Sequence, residues 1–142
     1  MQTYISNNEH DTMQFAEEFA KTISGGTAVA FIGGLGMGKT AFVRGALKGF
    51  NNPSRVSSPT FALVNDYGGN PNIYHFDMYR VTDADDLYST GYFDYLEENA
   101  VLFIEWSENI TDCLPENTIY VKIEKGDADS QRIITVYKDG EL

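Results

Sequence analysis

Eight consecutive residues, Gly33-Gly34-Leu35-Gly36-Met37-Gly38-Lys39-Thr40, carry glycine, lysine and a hydroxyl in the order Gly-x-x-x-x-Gly-Lys-Thr. Glycines let successive backbone N–H groups turn toward one anion, and a helix that starts at the end of such a loop adds the partial positive charge of its N-terminus. In that arrangement Lys39 reaches the β and γ phosphates of a nucleotide and the Thr40 hydroxyl ligates Mg²⁺. The plain alternative is a glycine-rich turn between a strand and a helix. Context separates the two: an apolar run of strand length, residues 27–32, lies before the loop, and Val43, Ala46, Leu47 and Phe50 recur at helical spacing after it.

Phosphate-anhydride chemistry also needs a carboxylate to hold magnesium, commonly at the end of an apolar strand beside the loop strand. Val101-Leu102-Phe103-Ile104-Glu105 has that form. Alone, Glu105 reads equally as a solvated strand end or a helix cap; beside the loop it reads as a metal ligand. Trp106 is either a core or lid aromatic or a partner contact. In Tyr74-His75-Phe76-Asp77-Met78-Tyr79-Arg80, Asp77 ends another candidate strand. Three roles stay open for it: ordering an attacking water, joining the magnesium shell, or pairing with Arg80. Strand alternation is taken to aim His75 away from the side of Asp77's neighbours, as a packed or hydrogen-bonded histidine rather than a catalytic one. Val56-Ser57-Ser58-Pro59-Thr60 is a turn by itself and, next to a phosphate loop, a candidate switch that senses the γ-phosphate.

The elements that would hold these groups follow from periodicity. A short strand over residues 3–6 precedes Asn8, Asp11 and Thr12 as candidate caps of a helix whose apolar positions are Met13, Ala16, Ala20 and Ile23. Ser24-Gly25-Gly26 stops it. The run 27–32 reads as a buried strand of a parallel sheet. Strands are expected at 61–65 and 72–77, divided by the turn-rich Gly68-Gly69-Asn70-Pro71, which suggests a hairpin or nearby pairing, and short helices at 83–88 and 93–99, divided by Gly91. A second fully apolar strand spans 100–104. Residues 118–124 and 131–137 alternate as half-exposed antiparallel strands. The expected fold is α/β: a P-loop NTPase-like three-layer sandwich with parallel inner strands and an antiparallel C-terminal edge hairpin.

The chain has 142 residues and is 42% hydrophobic, which suits one domain over 1–142 with a single core. A formal net charge of -11 repels phosphate backbones and anionic lipid, so no direct sequence-specific nucleic-acid binding is expected. Cys113 is the only cysteine, which excludes an intramolecular disulfide framework and multi-cysteine zinc. A polar N-terminus and the lack of an eighteen-residue apolar run predict a cytoplasmic chain with no membrane span.

In this order and spacing the loop, Phe42-Val43-Arg44-Gly45, Ser58-Pro59-Thr60-Phe61, residues 74–80 and Glu105-Trp106 resemble the TsaE family. These are bacterial ATPases formerly called YjeE that take part in forming threonylcarbamoyladenosine in tRNA. The resemblance covers most of the chain. It implies an ATPase that serves a TsaB–TsaD assembly, in which TsaD performs the carbamoyl transfer and TsaE supports or resets the complex between turnovers. By position it implies phosphate contacts from Gly36, Met37, Gly38, Lys39, Thr40 and Ala41, Mg²⁺ at Thr40 and Glu105, and catalytic or switch roles for Thr60 and Asp77. Glu9 and Arg132 resemble family positions near the nucleotide. The chain departs from the family at Gly34, where Asp is usual. Two rivals share the loop. A small-molecule kinase needs a lid of arginines to clamp the transferred group, and only Arg44, Arg55, Arg80 and Arg132 are present. A GTP-dependent switch needs an Asn-Lys-x-Asp signature that the sequence lacks.

Overall fold

A computed structural model describes residues 1–33, 38–56 and 64–141. The elements, in chain order, are β1 (Gln2–Ser6), α1 (Glu9–Ala20), β2 (Thr27–Ile32), α2 (Lys39–Gly49), β3 (Val64–Gly68), β4 (Ile73–Asp77), α3 (Ala84–Ser89), α4 (Tyr92–Glu97), β5 (Val101–Glu105), β6 (Ile119–Lys125) and β7 (Arg132–Lys138). A kinked 3₁₀ segment, Ser107–Cys113, follows β5.

The strands form one sheet in the order β1-β7-β6-β2-β5-β4-β3. The two apolar runs read from the sequence occupy its centre: β2 pairs in parallel with both β5 and β6, and β4 pairs in parallel with β5. Buried on both faces, β2 and β5 have no solvent side to alternate toward, which is why they read as continuous apolar runs. The C-terminal hairpin β6–β7 is antiparallel, as expected. The middle hairpin also forms as expected, β3 closing one edge antiparallel to β4, while antiparallel pairing goes beyond the sequence reading at the other edge, where β1 adds outside β7.

Helices cover both faces, giving the expected three layers. On one, α1 and α2 bury Phe19, Phe42, Val43 and Leu47 against Val29, Phe31, Phe103 and Val121. On the other, Leu87, Tyr92 and Ile110 pack on Phe76, Leu102 and Ile104. Alternation along β4 and β5 sorts these sets, with Tyr74 and Phe76 on the second face and Ile73 on the first.

α1 begins where its cap predicts: the Asn8 side chain accepts from the Asp11 N–H at 2.8 Å, and the Asp11 carboxylate accepts from the Asn7 N–H at 3.0 Å. α2 begins differently, after Gly38 at φ 92°, a left-handed conformation that glycine adopts without a Cβ penalty and that leaves the first amides uncapped by any side chain. The two helices cross closely because α2 presents glycine to α1. A Cβ on Gly45 would run into the Met13 carbonyl, and one on Gly49 into that of Glu17. This close crossing brings the start of α1 beside the first turns of α2.

Candidate functional site

The ends of the central parallel strands and the start of α2 frame a cleft of about 580 Å³. Asn8, Glu9 and Thr12 line it from the start of α1, Gly38 to Ala41 and Arg44 from the start of α2, Glu105 from the end of β5, Ser130 from the β6–β7 connection and Arg132 from the start of β7. Ligands of open parallel sheets bind in this place, outside the carboxyl ends of strands where neighbouring connections diverge. Three of the chain's ten cationic residues, Lys39, Arg44 and Arg132, line this one cleft of a strongly acidic chain.

Lys39 is 5% exposed. Its Nζ donates to the Gly33 carbonyl at 3.0 Å and stands 5.9 Å from the centroid of the Trp106 ring. Among the described residues it has no carboxylate partner. A desolvated cation whose acceptor is neutral is destabilising unless an anion meets it. Thr40, next in α2, lines the same wall, and the α2 N-terminus supplies oriented amides.

Glu105 is nearly buried, and its Oε2 accepts from His75 Nε2 at 2.6 Å. His75 is fully buried and hydrogen-bonded, as read from the sequence. Alternation turns it away from Phe76 and Met78, the neighbours of Asp77, which pack in the core of the second face. His75 and Asp77 are two residues apart on β4 and so share a face, and register sets Asp77 directly beside Glu105. His75 therefore points along the side of the acidic pair.

Asp77 does not line the cleft. Its Oδ1 accepts from the Tyr79 N–H at 2.9 Å, and among the described residues it makes no ion pair with Arg80. Trp106 begins the 3₁₀ segment at φ 57°, with its ring 4.9 Å from that of Tyr79. Ser107 behind it donates to the Phe31 carbonyl at 2.9 Å, tying the end of β5 to that of β2.

Glu9 and Arg132, far apart in sequence, both reach the cleft. Arg44 donates to Glu9 at 2.8 Å, and Arg132 donates to the carbonyls of Asp129 at 2.6 Å and Gln131 at 2.9 Å. Gly36, Met37 and Thr60, as well as Gly34, lie outside the described residues. Of the cleft's lining, Ser130 carries no motif signal of its own, Arg44 stood in a family-like segment with no role read for it, and Asn8 and Thr12 were legible as helix caps alone.

The chain is similar over most of its length to known proteins. The family model described as "Threonylcarbamoyl adenosine biosynthesis protein TsaE" matches residues 6–134. The chain is 37% identical over 123 residues to the tRNA threonylcarbamoyladenosine biosynthesis protein TsaE of Haemophilus influenzae, covering 82% of this chain and 78% of that one. It is 33% identical over 132 residues to the protein of the same name from Treponema pallidum, covering 93% and 97%. Against that of Rickettsia typhi it is 37% identical over 138 residues, covering 96% and 94%. Among solved structures, the crystal structure of Bacillus subtilis YdiB superimposes with a TM-score of 0.78 at 26% identity, covering 98% of this chain and 86% of that one.

Proposed function

Because the chain belongs to the TsaE family, involved in tRNA threonylcarbamoyladenosine biosynthesis, we propose that it binds and hydrolyses Mg-ATP to support or reset a TsaB–TsaD complex between turnovers. The observation that carries this reading is Lys39, a cation 5% exposed in a cleft at a helix start, with a neutral carbonyl as its acceptor. A polyphosphate supplies the missing anion.

In this reading the amides at the start of α2 and Lys39 take the β and γ phosphates, with Lys39 exchanging the Gly33 carbonyl for a phosphate oxygen. The Thr40 hydroxyl and the Glu105 carboxylate hold the magnesium ion. The donors fit, being two hard oxygens lining one cleft, and Mg²⁺ needs few protein oxygens when phosphates share its shell. Once bound, the ion offsets the charge on the phosphate oxygens. Arg132 and the Glu9–Arg44 pair bound the nucleotide on the α1 and β7 sides. Asp77, beside Glu105 in register, and Thr60 are assigned to the chemical step or its switch rather than to holding phosphate.

The chain has four arginines, and no arginine-rich lid is legible in its sequence, so slow turnover alone and acceleration by partners follow. A net charge of -11 argues that contact with tRNA runs through those partners. Among the described residues no helix is long and apolar enough to cross a membrane, and the cytoplasm is the proposed location. The test is phosphate release from ATP by the purified chain with and without a TsaB–TsaD pair. Release that persists unchanged in Lys39→Ala would assign the activity to another site.

A further inference from the structure

His75 carries more than packing. It is fully buried, yet both ring nitrogens are engaged: Nε2 lies 2.6 Å from Glu105 Oε2 and Nδ1 lies 3.2 Å from the Tyr67 hydroxyl. A carboxylate oxygen only accepts, so Nε2 holds a hydrogen, and in the neutral ring Nδ1 accepts from the tyrosine. Tyr67 is itself aimed by the backbone. Asp66 and Gly68 pair with the consecutive residues Tyr74 and Ile73, so Tyr67 occupies a β-bulge, a feature that redirects a side chain. Its carbonyl accepts from Asn52 Nδ2 at 3.2 Å and from Ser54 Oγ at 2.9 Å, which anchors the bulge to the turn after α2.

The chain of contacts ends at one oxygen of Glu105. Among the described residues the other oxygen, Oε1, makes no hydrogen bond, yet no buried side-chain oxygen or nitrogen there is left without a partner. Oε1 is therefore accessible, and Glu105 lines the cleft. We propose that Tyr67 and His75 are positioning residues that pin Glu105 Oε2 and thereby present Oε1 to the metal ion of the bound nucleotide. The inference rests on the Mg-nucleotide reading above. Partners of this kind, one layer behind a ligand, orient ligands to metals and change metal affinity by about 10- to 100-fold when removed.

The test is calorimetric. ADP affinity is measured in EDTA and in saturating Mg²⁺, and the ratio of the two is the metal's increment. His75→Phe keeps an aromatic ring at the position and removes both hydrogen bonds. It is expected to cut the increment by about tenfold while leaving affinity in EDTA unchanged, and His75→Gln, which retains a donor, is expected to recover much of it. In a Glu105→Gln background, His75→Phe should have no further effect, because the histidine acts through that carboxylate. Should His75→Phe not fold, Tyr67→Phe removes a single hydroxyl and should reduce the increment in the wild-type background alone. An unchanged increment in the folded histidine variant, or an equal loss in the Glu105→Gln background, overturns the positioning role and leaves the ATP site standing. Wild-type protein that binds no ADP, or binds it without any metal increment, overturns the Mg-nucleotide reading and this inference with it.

Discussion

Arg44 and Glu9 face each other within the cleft lining, with Nη1 donating to Oε1 at 2.8 Å, on two helices whose close crossing depends on Gly45 and Gly49. Both side chains are substantially exposed, at 44% and 66%, so the pair contributes little to the fold. Its consequence is local, since it sets where Arg44's charge lies in a cleft that Lys39 and Arg132 also line.

Arg44→Ala and Glu9→Ala should each weaken nucleotide binding while shifting stability by no more than about 0.5 kcal/mol. Because one residue holds the other, the double variant should bind no more weakly than the worse single one. Titration with ADP and thermal denaturation of all three proteins check this; strictly additive losses would mean that the two act separately.

Gly45→Ala should destabilise by about 1–3 kcal/mol, because the added methyl meets the Met13 backbone rather than a yielding side chain. Denaturant midpoints measure the loss. Nucleotide affinity should fall with it, since separating α1 from α2 parts Glu9 from Arg44.

The chain has one tryptophan, and the Lys39 ammonium stands 5.9 Å from its ring. Drawing Lys39 onto a phosphate removes that charge from the indole face, so ATP or ADP should change the intrinsic emission. The change should vanish in Lys39→Ala. Emission that responds equally in the variant would detach the signal from the lysine.

Asp77→Asn keeps an oxygen for the Tyr79 N–H, so the turn after β4 should survive and Tm should change little. Turnover should fall on the order of a hundredfold with ADP affinity retained, as expected of a group used in the chemical step and not in holding phosphate. Equal loss of binding and turnover would assign Asp77 to the ligand shell.

Much of the fold was legible because its most buried parts are also its simplest sequences. β2 and β5 are continuous apolar runs since both faces are covered, and the glycine loop is bounded by a strand and a helix whose periods differ. The 3₁₀ segment Ser107–Cys113 was missed, for it is short, kinked at Ile110 and polar along most of its length. The strand-end carboxylates were found, but not the bond between His75 and Glu105, 30 positions apart. That contact depends on the register of β4 against β5, which no local pattern encodes. Tyr67 was harder still, because a bulge decides where it points. Arg44 shows the same limit: its segment, Phe42-Val43-Arg44-Gly45, was legible as family-like, but its place in the cleft follows from the crossing of two helices.

The central claim is that this cleft hydrolyses ATP, and phosphate release under single-turnover conditions tests it most directly. The wild-type chain should release phosphate slowly alone and faster with a TsaB–TsaD pair, and Lys39→Ala and Glu105→Ala should each reduce both rates by at least about a hundredfold while retaining the wild-type circular dichroism spectrum. Wild-type rates in both variants, or no release from ATP with or without the partners, would contradict it.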